Sequence, residues 1–133
     1  MATLYMLDTD TASYVIRGTD SVVMENFSKY FSKLCISSIT AAELQFGAVK
    51  KNSKPLTEKV DAFCELLPVK SWNLEAAVWY GKLRAELEKE GTPLAAMDLL
   101  IAASALTEGA VLVTNNEAHF SKVKHLSIEN WLA

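Results

Sequence analysis

The chain is 133 residues long, half of them hydrophobic and 22% charged, with a formal net charge of −3 at pH 7. That length supports one compact domain with a true apolar core and is too short for two ordinary ones. The acidic balance excludes a protein that coats nucleic acid by bulk attraction, so any nucleic-acid contact has to be a local patch of Lys and Arg.

No low-complexity or Pro/Gly-rich tract divides the sequence, and one domain over residues 1–133 is expected. The apolar start, residues 1–7, lacks a basic leader and stops at Asp8. No later run approaches the roughly 18 uninterrupted apolar residues of a membrane span, so the expectation is a cytoplasmic protein. Cys35 lies in an apolar run and Cys64 in an amphipathic one, without CxxC spacing, which predicts two reduced structural thiols.

The first element is a buried strand, Leu4 to Leu7, running into the polar cluster Asp8, Thr9, Asp10 and Thr11 that opens a helix ending near Gly18. A second helix is predicted over Ser21 to Lys33, capped by Asp20, with Val22, Val23, Phe27, Tyr30 and Phe31 at helical spacing. Leu34 to Ile39 reads as a second buried strand. Thr40 with Glu43 three residues on has the capping-box pattern of a further helix start. Pro55 opens a helix reaching Leu67, and Pro68 to Trp72 is a short strand candidate. Asn73 caps a long helix that Gly91 ends after Glu90. A strongly apolar helix follows from Ala96 to Leu106, stopped by Gly109, and then a good strand, Ala110 to Val113, which opens into a polar loop at Thr114 to Glu117. Alternating strands and helices predict an α/β sandwich with a mainly parallel sheet, whose ligands sit beyond the carboxyl ends of the strands.

Four polar residues share that geometric position. Asp8 ends the first strand, Glu43 follows the second by about one helical turn, Asp98 stands in the first turn of the apolar helix, and Asn116 follows the last strand. Converging carboxylates repel one another, and a hard divalent cation with oxygen ligands relieves that repulsion. Each residue also has a plain reading: Asp8 as a helix cap, Glu43 as half of a capping box, Asp98 as a complement to a helix dipole, and Asn116 as a turn residue. Asp98 fits its plain reading least well, because Leu99, Leu100, Ile101, Ala102 and Ala103 follow it and an unpaired charge beside them is costly.

The segments MLDTD (Met6 to Asp10), ISSITAAELQFG (Ile36 to Gly47), TPLAAMDLLIAASAL (Thr92 to Leu106) and VLVTNN (Val111 to Asn116) resemble, in order and spacing, the motifs of VapC-type PIN-domain ribonuclease toxins. The likeness runs to the closing IENW of Ile128 to Trp131. It implies a PIN-like α/β/α sandwich and a Mg2+ site, with Mn2+ as a substitute, in which Asp8, Glu43 and Asp98 are the metal-binding carboxylates. Where many PIN domains carry a fourth acid, this chain has Asn116, whose amide oxygen suits a ligand or a water anchor. Asp10 and Thr114 are expected to orient ligands and waters. His119 and His125 read as surface or structural, and Trp72, Trp79 and Trp131 as core or interface.

The resemblance further implies hydrolysis of RNA by a metal-activated water, with transfer RNA, and the initiator anticodon loop in particular, as the target. It implies a VapB-type antitoxin as partner and a homodimer, for which the apolar residues at Phe27 to Phe31 and Phe63 to Leu67 are the candidate surface. Lys50, Lys51 and Lys54 form one candidate RNA patch and Lys122 with Lys124 another, although solvated helix ends explain both equally. Two other readings compete. Asp8, Thr9, Asp10 and Thr11 match the DxDxT opening of haloacid-dehalogenase-type phosphatases, but the later Lys and paired-acid motif of that family are not evident. The other is a PIN fold kept as a binding module after its centre has decayed, against which the three carboxylates stand.

Overall fold

Residues 3–132 are described by the computed structural model; Met1, Ala2 and Ala133, at the ends of the expected domain, lie outside the described residues. The chain opens with β1 (Tyr5–Leu7), α1 (Thr9–Arg17), α2 (Ser21–Tyr30), β2 (Leu34–Ser37), α3 (Ser38–Lys51) and α4 (Lys54–Leu66). It continues with β3 (Val69–Lys70), α5 (Leu74–Lys89), α6 (Ala96–Glu108), β4 (Val111–Val113), α7 (Glu117–Phe120) and β5 (Ile128–Glu129). No described helix is long and apolar enough to cross a membrane.

Local chemistry sets these boundaries. Asp20 accepts a hydrogen bond from the Val23 N–H at 3.0 Å and Asn73 one from Ala76 at 3.0 Å, each satisfying a free donor of a first helical turn. Gly18 and Gly109 end α1 and α6 in the left-handed region, with φ of 68° and 63°, where a Cβ is strained. The expected helix over Ser21 to Lys33 tightens at its end into a 3-10 turn, Phe31–Lys33. The expected second strand stops two residues early, at Ser37, whose side chain caps α3 by accepting from the Ile39 N–H at 3.1 Å. Thr40 is therefore already helical, and the capping box between Thr40 and Glu43 does not form.

All strand pairs are parallel, in the order β3-β2-β1-β4-β5. Side chains alternate across the sheet. Met6, Cys35 and Leu112, in register, face the core packed by α5 and α6, and Leu7, Ile36 and Val113 face the core packed by α1, α2 and α4. Each of these six is 0% exposed, and burying such a side chain contributes about 1.5–3 kcal/mol. The result is an α/β/α sandwich. Cys35 and Cys64 are both free, and burial pushes the Cys35 thiol up to about 12, so it stays protonated and inert.

One expectation about surfaces changes. Phe63 and Leu67 are buried and Phe27 stacks on Phe63 with ring centroids 6.4 Å apart, so that part of the expected dimer surface is core, whereas Phe31 and Leu66 remain exposed. The large exposed apolar side chains also include Phe46 and Val49 on α3 and Leu74 and Val78 on α5. Lys124 is paired with Glu90 at 2.7 Å on the surface.

Candidate active site

The sheet order places a topological switch beside its central strand. From β1 the chain builds outward through β2 and β3 on one side, then returns to β4 and β5 on the other. A crevice opens outside the carboxyl ends at such a point. Asp8 is the first residue beyond β1, and Thr114 is the first beyond β4.

A cavity of about 100 Å³ at this point is lined by Asp8, Thr9, Asp10, Glu43, Asp98, Ile101, Asn116 and Phe120. Thus Asp8, Glu43, Asp98 and Asn116, read from four separate segments, come together, and Asp10 joins them. Asp8 is the N-cap of α1 and is 4% exposed, with its side chain accepting from the Thr11 N–H at 2.8 Å. Glu43 projects from the second turn of α3 and Asp98 from the first turn of α6. Both Asp8 and Asp98 therefore stand at helix N-termini, where the unpaired N–H groups favour negative charge.

Burial pushes the Asp8 carboxyl up from its ordinary value of 3.8, and hydrogen bonds from Thr114 and Thr11 offset part of that rise. Thr114 is wholly buried, and its hydroxyl also accepts the Asn116 N–H at 2.9 Å. The Asp8 N–H donates to the Val113 carbonyl at 3.0 Å and the Thr11 hydroxyl to the same carbonyl at 3.2 Å, so the end of β4 is tied to the segment after β1.

Two contributors escaped the sequence reading. Thr9 donates its hydroxyl proton to Glu43 Oε1, so the carboxylate that was free of the capping box is held here instead. The only sequence signal for Thr9 was its place between Asp8 and Asp10 at the start of a helix. His119, expected to lie away from the carboxylates, has Nδ1 2.8 Å from Asn116 Nδ2 and 3.5 Å from Asp98 Oδ2. The short helix α7 turns it back toward Asp98, and a four-residue helix leaves no periodic signal in a sequence. His125, by contrast, packs against Trp79.

The donor set is hard oxygen, which suits Mg2+ or Mn2+ and not a soft metal. Among the described residues no three acidic, His or Cys side chains close around one point as a ready cage. Mg2+ does not require one, since it keeps several waters and is held by one or two carboxylates. The residues therefore fit an ion held partly through water.

If Thr9 sets the Glu43 carboxylate, Thr9→Val should lower activity about 10–100-fold, as loss of an outer partner of a ligand commonly does. Thr9→Ser should retain most of it. Single-turnover measurement of the hydrolysis that the family resemblance implies tests both, and a Thr9→Val protein at the wild-type rate removes this role.

Residues 5–126 match the family model described as PIN domain. The chain is 38% identical to the tRNA(fMet)-specific endonuclease VapC of Salmonella typhimurium, over 96% of this chain and 97% of that protein. It is 37% identical to ribonuclease VapC2 of Rickettsia felis, over 96% and 98%. The toxin–antitoxin complex VapBC2 of Rickettsia felis, bound to a DNA fragment from its promoter, contains a chain that superposes with a TM-score of 0.90 at 36% identity, covering 97% of this chain and 99% of that one. DNA-bound VapBC of Salmonella typhimurium gives 0.88 at 36%, covering 98% and 99%. With this fold, this acidic crevice and near full-length likeness throughout, the chain belongs to the PIN-domain family and, within it, to the VapC type.

Proposed function

We propose that this protein is the toxin of a type II toxin–antitoxin pair, a Mg2+-dependent endoribonuclease that hydrolyses RNA, with transfer RNA as its substrate class. The observation that carries the reading is the convergence of Asp8, Glu43, Asp98 and Asn116 on one cavity at the switch point of the sheet. The VapC relatives named as ribonucleases and as a tRNA(fMet)-specific endonuclease support the reaction and an initiator transfer RNA as substrate, within which the anticodon loop is the proposed target. VapBC complexes support a VapB-type antitoxin as partner. A homodimer belongs to the same reading, on the exposed apolar residues of α3 and α5. The phosphatase alternative opening at Asp8 gains no support from these relatives.

In this reading Asp8 and Asp98 would hold the ion, with Glu43, oriented by Thr9, as a further oxygen donor. Asn116 anchors a water, and Asp10 and Thr114 orient what surrounds it. When bound, Mg2+ would supply Lewis-acid and water-activating chemistry for hydrolysis of the phosphodiester. The buried side of the cavity, formed by Ile101 and Phe120, excludes bulk water from that face.

Cleavage by water expels the 3′-oxygen, so the products should carry a 5′-phosphate and a free 3′-hydroxyl. The 3′ fragment should ligate without kinase treatment, and a substrate with hydrogen in place of the scissile 2′-hydroxyl should still be cut. Chelator should abolish activity, Mg2+ or Mn2+ restore it, and Ca2+ support it poorly. A fragment that needs kinase, or a bound deoxy substrate that resists cleavage, overturns the mechanism.

A further inference from the structure

A second and larger depression adjoins the acidic cavity and shares Thr9, Asp10 and Glu43 with it. This groove, of about 330 Å³, runs between α1, α3 and α4. Its floor is aliphatic, formed by Ile16, Leu44, Ala48, Leu56 and Val60, and its far rim carries Arg17 and Lys51. Each cation lies eight residues beyond an acidic-end residue of its own helix, Thr9 or Glu43, which places both about 12 Å from the cavity. Neither is in an ion pair with a carboxylate of the described residues, and Arg17 is held with its guanidinium 4.4 Å from the Tyr14 ring centroid.

Gly47 also lines the groove, in the interior of α3. Glycine is the least favourable helix residue after proline. Here neither backbone nor packing calls for it: its φ is not positive, and a Cβ would meet nothing within 4 Å. The side chain it lacks would project into open space at the groove, so its smallness leaves that part of the groove unfilled.

We propose that this groove is a nucleotide subsite: an unpaired base of the RNA next to the scissile phosphate lies over Gly47 on the aliphatic floor, and Arg17 and Lys51 take the phosphate beyond it. The charge order supports this occupant, with carboxylates for a cation at one end and two unpaired cations for an anion at the other. Only an unstacked base reaches such a floor, because the bases of an A-form duplex are enclosed. The cut is thereby directed to single-stranded or loop RNA. The proposal rests on the ribonuclease reading above.

The test uses the full chain with Mg2+ and a short loop-containing RNA, comparing wild type, the double variant Arg17→Ala/Lys51→Ala, and Gly47→Leu. The double variant should raise KM on the order of tenfold with little change in kcat. It should also reduce the log–log salt slope of RNA binding, measured in an Asp98→Asn background, by about 0.7 for the one phosphate no longer neutralised on a single strand. Gly47→Leu should unfold at an equal or higher temperature and still raise KM. Wild-type KM and salt slope in the double variant overturn the subsite. If antitoxin neutralisation is lost while RNA kinetics are unchanged, the groove belongs to the protein partner and the proposal also fails. A wild-type protein that cuts no RNA sinks the ribonuclease reading itself.

Discussion

Asp8→Asn and Asp98→Asn should each lower RNA cleavage by about a thousandfold or more. In the proposed reading both carboxylates would hold the ion, which is worth several kcal/mol of transition-state stabilisation, and each 1.4 kcal/mol or so is a factor of ten in rate. The Asp8 variant should at the same time be the more stable protein without metal. Burial raises the folded-state pKa of Asp8 above 3.8, so the folded chain binds this proton more tightly than the unfolded chain. The stability Asp8 contributes is thus fully present below the unfolded value and is lost as pH rises through the folded one. At neutral pH the ionised carboxylate is a net cost that Asn removes. Urea denaturation with chelator should show Asp8→Asn above wild type at pH 7 and the gap closing toward pH 3.8 and below. A purified Asp8→Asn or Asp98→Asn protein with wild-type cleavage rate contradicts the metal-site assignment, and a stability gap that does not depend on pH contradicts the electrostatic account.

Phe120→Ala should have the largest effect on stability. Its ring is 1% exposed, packs in the core with Met6 and Leu112, and also walls the acidic cavity. Truncating a buried Phe costs about 3–5 kcal/mol. A domain of this size has roughly 5–15 kcal/mol in total, so the variant keeps little reserve. Phe120→Leu should cost much less, since it leaves a smaller void. Chemical denaturation of both variants measures the difference, and a Phe120→Ala midpoint near that of wild type would remove the ring from the core.

What the sequence discloses and what it conceals follow from the reach of each signal. The apolar runs that became β1, β2 and β4, with the polar residues just past them, announced both the sheet and the position of Asp8 and Asn116. Asp98 was conspicuous because it is a charge set before an apolar helix. The two-residue strand β5 and the four-residue α7 are shorter than any period, so the position of His119 was not legible. The Thr40–Glu43 pattern misled because a serine three residues earlier reaches a free N–H first, leaving Glu43 to Thr9. The aromatic residues at Phe27 and Phe63 looked like surplus surface because their stacking partners come from different helices.

The central strand β1 is made first and pairs on one side with residues 34–36 but on the other with residues 111–113. Pairings so distant in sequence form slowly, because the intervening chain must be ordered before they reward it. During synthesis, therefore, a ribosome-tethered fragment that already contains Asp8, Glu43 and Asp98 still lacks β4, and with it Thr114 and Asn116. The acidic cavity is therefore complete only once β4 has paired with β1, and a chain that stops short of β4 holds its carboxylates without the groups that fix them.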